Sequence, residues 1–576
     1  MTEQDGEIFC KMKHNRSLQL NEACLKLTLE DKADQVYSVF AQSVECEGCD
    51  PWYFGNVESG KGTELVVNTS YGTWVGIQDA NNKNVCNVTY HFTEFGVYKL
   101  GFNHTDCSPI QVLIQPPNPF LPLLWAFFLL LGIQALLPFV TQKNLRRVKR
   151  LLTRREDPLL EDLGSPEHHT PSSSFSIQAS PKGKERLNSL DTFRGIAIVL
   201  MIFVNYGGGD YWFFKHSRWN GLTVADLPFP WFMWIMGVSL VLSLKSQLMK
   251  SFSRKQIFIR ILRRSTILFL LGLILNARST NRLTDMRLLR IPGVLQRFSI
   301  VYFLVATQEL FLFKLPDVSQ QGLARLGRNC CHIIRGLFFA LCITSHLLIT
   351  FHLPVPSCPR GYLGPGGMHD GGGFWNCTGG AIGYVDRLVF GESHIYQHAT
   401  PKSLYNTNIP FDPEGLVGTL NSIVLVYLGV VAGLIVVTHP VARLHILMWL
   451  ILGFLTGMVG LGLCEASQNG GVIPLNKNLW SLSYTLVTAG TSFFILALLH
   501  WIVDIQQWWR GAPFSHVGMN AILLYVGHEL LEKTFPVQFG PLPESHLARL
   551  FMNLWGTIFW ILVAVWLHSH RFFLAL

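Results

Sequence analysis

The chain has 576 residues, of which 49% are hydrophobic and 14% charged, with a formal net charge of +9. That is more apolar side chain than one soluble domain can hide, so the sequence reads as a polytopic α-helical membrane protein. Cytoplasmic loops of such proteins collect lysine and arginine, so the basic balance points to the membrane and not to a nucleic-acid partner.

Residues 1–117 differ from everything that follows. They are polar, hold Cys10, Cys24, Cys46, Cys49, Cys86 and Cys107, and alternate in TELVVNTS, TWVGIQ, VTYHF and PIQVLIQ. Period-two alternation predicts strands, and short Gly-turned strands of this kind predict a small β-sandwich. Sequons at Asn15, Asn68, Asn87 and Asn103 cluster with the cysteines, which predicts disulfides and an oxidising, glycosylating compartment. No metal site is expected.

Residues 118–141 supply a first span, and KNLRRVKRLLTRRE behind it marks a cytosolic flank. The β-rich domain is therefore expected on the lumenal side. The opening MTEQDGEIFCKMKHN has no apolar stretch of signal-peptide type, and the true beginning is expected to lie upstream. Residues 142–188, with LGSPEHHTPSSSFSIQASPKGKE, read as a flexible cytosolic linker. His168 and His169 have no partners there at ligand spacing.

From 189 to 576 ten apolar segments follow, centred near Val199, Met236, Leu270, Leu304, Thr344, Val426, Phe454, Phe494, Leu523 and Ile561. With the first span this makes about eleven transmembrane helices. Alternation puts KSQLMKSFSRKQIFIRILRR, KLPDVSQQGLARLGRNCCHIIRG and THPVARLH in the cytosol, and all are basic. It puts loop 353–415, with the sequon at Asn376 and the pair Cys358 and Cys377, in the lumen, and the C-terminus in the cytosol. NARSTNRLTDMRLLR breaks the charge rule, since Arg278, Arg282, Arg287 and Arg290 fall on the lumenal side. It is either an exception to a bias or a place for an anion.

Ionisable groups inside a membrane bundle are costly and so are candidates for function. The sequence offers Asp191, Arg194, Asn205, His216, Asp226, Arg290 and Arg297, then Glu414, Asn421, Lys477, His528 and Glu529. Structural readings stand beside the functional ones. Asp191 suits a helix N-terminus, Arg194 suits headgroup contact, and Asp226 suits an ion pair within the bundle. Gly207, Gly208 and Gly209 suit either a helix stop or close approach to a ligand. The imidazole of His216, in FVNYGGGDYWFFKHSRWNG, has the strongest chemical case, as a proton acceptor or as a nucleophile. Asn205 can hold an oxyanion or orient a substrate. P-loop, dinucleotide-binding and G-x-S-x-G patterns do not occur, which leaves ATP-driven, redox and serine-hydrolase readings without support.

RLNSLDTFRGIAIVLMIFVNYGGG, HSRWNGLTVADLPFPWF, RIPGVLQR, GYLGPGG, NCTGGAIGYVDR, DPEGLVGTLNSIV, NKNLWSLSY and GMNAILLYVGHE together resemble the heparan-α-glucosaminide N-acetyltransferase family of lysosomal transmembrane enzymes. The resemblance runs from about Arg186 to the end and more loosely through the first domain, with NARSTNRLTDM as a departure. It implies transfer of acetyl from cytosolic acetyl-CoA to the terminal glucosamine of heparan sulfate in the lysosome. It also implies His216 and Asn205 as catalytic residues, and a homodimer. Within that frame Arg194 and Lys245 are the candidates for the phosphates of CoA. The three glycines would make room for the acyl arm, and Asp226, Arg290 and Glu414 are candidates for the acceptor. Direct transfer in a ternary complex is expected over an acetyl-imidazole intermediate. Other readings are a transporter or channel, and a membrane O-acyltransferase acting on another glycan.

Overall fold

The computed structural model describes residues 9–10, 16–30, 35–58, 63–132, 187–279, 286–313, 323–540 and 543–574. The expected linker, the latter part of the first span, Asn15, Arg282 and the basic stretch around 314–322 lie outside them.

The first domain is a β-sandwich. Beyond a short pair, β1 (Phe9–Cys10) and β2 (Arg16–Ser17), it has eight strands. These are β3 (Glu22–Leu29), β4 (Val36–Ser43), β5 (Trp52–Glu58), β6 (Thr63–Asn68), β7 (Thr73–Gln78), β8 (Asn84–Tyr90), β9 (Val97–Phe102) and β10 (Gln111–Ile114). One sheet runs β10-β9-β3-β6 and the other β5-β4-β7-β8. Alternation does the folding: Tyr37, Val39, Leu25, Leu27, Leu65, Val75, Leu100 and Phe102 point between the sheets and are buried. Disulfides join Cys10 to Cys24, Cys46 to Cys49, Cys86 to Cys107, and, in the later loop, Cys358 to Cys377. Asn68, Asn87 and Asn376 are exposed and Asn103 partly so.

One helix, α1 (Leu121–Gly132), stands in a unit of its own. The sandwich and residues 187–576 form a single compact unit. Its long helices are α2 (Asn188–Asn205), α3 (Pro228–Met249), α4 (Arg254–Ser279), α5 (Val294–Leu312) and α6 (Leu323–His352). After the shorter α7 (Gly380–Phe390) and α8 (Lys402–Tyr405) come α9 (Leu416–Thr438), α10 (Ala442–Leu463) and α11 (Leu482–Leu499). The chain closes with α12 (Phe514–Met519), α13 (Ala521–Leu530) and α14 (His546–Ser569).

A helix covers each of the ten centres read from the sequence, but by length and composition only seven described helices are able to cross a membrane. The difference has a physical cause. The first half of α4 carries Arg254, Lys255, Arg260, Arg263 and Arg264, while α5 buries Gln296, Arg297 and Glu309. Glu309 takes two 2.8 Å bonds from Arg335 of α6, so its charge is paired inside the bundle. Small residues bring the central helices together: a Cβ on Gly237 of α3 would lie 2.0 Å from the Val426 carbonyl, and one on Gly429 of α9 would lie 2.0 Å from that of Trp234.

The sandwich docks on one end of the bundle. Glu94 accepts from His546 Nε2 at 3.1 Å, Asn21 reaches Asp210 at 3.4 Å, and Gly371 donates to the Gly48 carbonyl at 2.8 Å.

Candidate active site

The loop between α2 and α3 lies under that docked domain. Three successive glycines, Gly207, Gly208 and Gly209, have φ of 113°, 56° and 70°, a region that side chains with a Cβ rarely enter. They reverse the chain at the end of α2 and send it into Trp212, Phe213 and Phe214. A Cβ on Gly208 would lie 2.4 Å from Cβ of Phe214. The reversal is fastened to α14. Asn553 accepts from Gly209 N at 2.7 Å and donates to the Tyr206 carbonyl, and His546 Nδ1 donates to the Gly209 carbonyl at 2.7 Å. Tyr211 stacks on the His546 ring at 4.2 Å.

His216 follows at the mouth. Its Nδ1 lies 2.8 Å from Asp226 Oδ1, and in the tautomer whose Nδ1 donates to that oxygen Nε2 keeps the ring's lone pair. Asp226 is held in turn. Its second oxygen accepts from Thr223 Oγ1 at 2.9 Å and from the backbone N–H groups of Thr223 and Ser217 at 3.2 Å. Its own carbonyl accepts from the Tyr484 hydroxyl at 2.6 Å. Lys477 Nζ sits 3.4 Å from the carboxylate, 2.9 Å from His216 Nδ1 and 3.4 Å from Nε2, so its ammonium faces the ring as well as the acid. The imidazole is 42% exposed and the carboxylate fully buried. An imidazole held by a buried carboxylate is an arrangement that can act by proton removal or by nucleophilic attack.

Asp226 was expected to meet the acceptor, but its burial beneath His216 gives it no surface to do so, and its geometry is that of a positioning residue. Lys477 stood in the sequence among the ionisable candidates, with no role assigned to it. Nothing in its spacing linked it to a histidine 261 residues away.

Asn205 ends α2 and donates to His528 Nε2 at 3.0 Å and to Glu529 Oε1 at 3.4 Å. Both bonds use the amide nitrogen, so its carbonyl oxygen is the atom without a partner among the described residues. No hydrogen bond joins Asn205 to His216 among those residues.

Arg290 and Glu414, the other acceptor candidates, face each other. Arg290 binds Asp412 at 2.6 and 2.8 Å and Glu414 at 2.6 Å. Burial alone would lower the pKa of Arg290, but Asp412 and Glu414 outweigh it and raise it above the usual arginine value. This clasp, with Arg297 donating at 2.9 Å to the carbonyls of Pro413 and Gly415, pins the loop ahead of α9.

A cavity of about 340 Å³ lies between α2, α3, α4, α5 and α13. Its wall is mostly apolar, with Phe232, Met236, Phe298 and Tyr525, and its polar groups include Arg194, Ser239, Ser243 and Arg264. Arg194 donates to Ser239 at 2.6 Å and to Asp191 at 3.1 Å. Lys245 and the three glycines are not among the lining residues. The glycines form the chain reversal, and Arg264, which the sequence reading did not single out, is a second basic residue on the wall beside Arg194. Tyr525 stands between the cavity and the Asn205 cluster, its ring 5.3 Å from that of His528.

Comparison with known proteins completes the picture. Residues 186–315, which hold Asn205, His216, Asp226 and much of the cavity wall, match the family model described as heparan-alpha-glucosaminide N-acetyltransferase, catalytic. The chain is similar to the mouse protein named heparan-alpha-glucosaminide N-acetyltransferase, with 38% identity across 97% of this chain and 90% of that protein. It is also similar to the human protein of the same name, with 40% identity across 88% of this chain and 80% of that one. On this similarity over nearly its whole length, the chain belongs to the heparan-α-glucosaminide N-acetyltransferase family of membrane acyltransferases.

Proposed function

We propose that the enzyme moves acetyl from acetyl-CoA, offered on the cytosolic face of the lysosomal membrane, to the amine of the terminal glucosamine of heparan sulfate in the lumen. The observation that carries this reading is the His216–Asp226 pair, with a half-open imidazole over a buried carboxylate. The cavity suits the donor: an apolar tube takes a thioester arm, and Arg194 and Arg264 suit its phosphates. The N-terminal domain is lumenal and the C-terminus cytosolic in this reading, and the enzyme is a homodimer.

In the transfer, the amine nitrogen attacks the thioester carbonyl carbon while His216 Nε2 takes a proton from that nitrogen. The tetrahedral intermediate then expels the thiolate, which receives a proton, and the amide remains on the sugar. Asp226 holds the ring in the required tautomer and steadies the imidazolium as it forms. Asn205 was expected to donate to the oxyanion. With both amide N–H groups taken by His528 and Glu529, it is better suited to accept a hydrogen bond from the incoming amine.

The test uses purified full-length protein with acetyl-CoA and glucosamine, following CoA release. Release that disappears in His216→Ala supports the reading; solute flux without release supports a carrier, and acetylation of hydroxyl acceptors alone supports the O-acyltransferase. Labelled acetyl-CoA without acceptor separates the two routes. Covalent label that depends on His216 would replace direct transfer with an acetyl-imidazole.

A further inference from the structure

The sandwich does more than rest on the bundle. Its Cys46–Cys49 disulfide is buried in one hydrophobic cluster with Trp219, Tyr405, Phe411 and Leu479, so the loop after β4 shares a core with the loop of His216. Tyr405 fixes the same loop through its hydroxyl, which accepts from Glu47 N at 3.3 Å and donates to the Glu45 carbonyl at 3.2 Å. Docking here thus combines the disulfide, apolar side chains and hydrogen bonds, and it brings polar side chains of the sandwich to the rim of the His216 loop.

Those side chains converge beside His216. Tyr71, in the turn between β6 and β7, lies within electrostatic reach of Arg218, two residues past His216, and of Glu45 and Asp226. The Tyr71 ring lies 6.2 Å from that of Trp212, which is 45% exposed. Glu45 accepts from Gln468 at 2.7 Å through one oxygen, and its other oxygen has no partner among the described residues. An exposed aromatic face, a partly buried carboxylate and a guanidinium around one base are the groups that bind a charged amino sugar: ring against ring, carboxylate against ammonium, guanidinium against an anion.

We propose that the N-terminal domain builds half of the acceptor subsite: Trp212 and Tyr71 offer the face for the terminal pyranose, Glu45 holds its ammonium, and Arg218 holds the anionic group of the next sugar. This rests on the reading that the acceptor is a terminal glucosamine. The domain is then part of the catalytic pocket, and it selects for an amine at the end of an anionic chain.

The experiment measures equilibrium binding to the full chain in detergent, without acetyl donor, of glucosamine and of a heparan-sulfate tetrasaccharide ending in glucosamine. Trp212→Ala and Glu45→Gln are expected to weaken both ligands about tenfold, the scale of one lost contact with a charged group. Arg218→Gln is expected to weaken the tetrasaccharide and leave glucosamine unchanged. In turnover, the acceptor KM should rise in these variants while the donor KM stays within about twofold. Glu45→Gln, which preserves shape, decides the matter if Trp212→Ala fails to fold. Variants that bind both ligands like the wild type overturn the inference, as does a wild type that binds neither. A wild type that binds the amino sugar but does not acetylate it overturns the proposed reaction and leaves the subsite standing.

Discussion

Two charged constellations lie in the bundle's connecting loops, and they are built from similar parts. In the clasp of Arg290, Asp412 and Glu414, no side chain is more than 18% exposed and every charge is met by an opposite one. In the group of His216, Asp226 and Lys477, the carboxylate is equally hidden, but the imidazole is 42% exposed. The first is closed on itself and its bonds tie loops together. The second is closed on one side only, so its fixed charge serves a ring that can still meet a substrate. Exposure of one member, and not the kind of charge, separates a fastening from a reactive group.

That contrast sets the predictions. His216→Ala should lower kcat by about 10²–10⁴-fold, the range for a lost general base, with the thermal midpoint little changed; CoA release and a melting curve read both. Arg290→Ala should behave oppositely, destabilising the protein by about 3–5 kcal/mol because two buried carboxylates lose their partner. Activity per folded molecule should survive, and denaturant or thermal unfolding in detergent gives the measurement. Asp226→Asn should lower kcat by up to about 10⁴-fold with an unchanged KM for the donor, since it misdirects the imidazole without removing it.

A pH-dependent effect concerns Asp386 in α7, where burial pushes the carboxyl pKa up to about 7 and Oδ2 has no partner among the described residues. The folded state therefore holds a proton that the unfolded chain releases near 3.8. Stability should decline as pH rises between those two values and level off above. Asp386→Asn should remove this slope, which unfolding midpoints measured from pH 4 to pH 8 would show. A slope that persists in the variant belongs to another group.

The sequence carried the large divisions because they rest on local pattern. Alternation such as Tyr37, Val39 and Ala41 is enough to mark a strand, and apolar runs marked the centres of ten helices. The histidine in an aromatic, glycine-turned loop was legible as a candidate from its chemistry. What it bonds was not. Asp226 is ten residues on in the chain, and could be read as a substrate ligand as readily as a partner. Lys477 reaches the site only through the fold, as do His528 and Glu529, which take the amide of Asn205. Arg264 was hidden in a basic stretch that looked like a cytosolic flank, whereas Lys245, a similar charge one helix earlier, lies off the cavity wall.

The fastening of the glycine reversal to α14 has a consequence for how the molecule is made. Asn553 and His546 join residues that lie 337 to 347 positions earlier in the chain. The ribosome releases the His216 loop long before it makes the segment that braces it, so the site is synthesised early and assembled last. A premature stop ahead of α14 would spare every residue of the His216 group and still leave its loop without that brace. The carboxyl-terminal helix is thus the keystone of a loop encoded in the first half of the message.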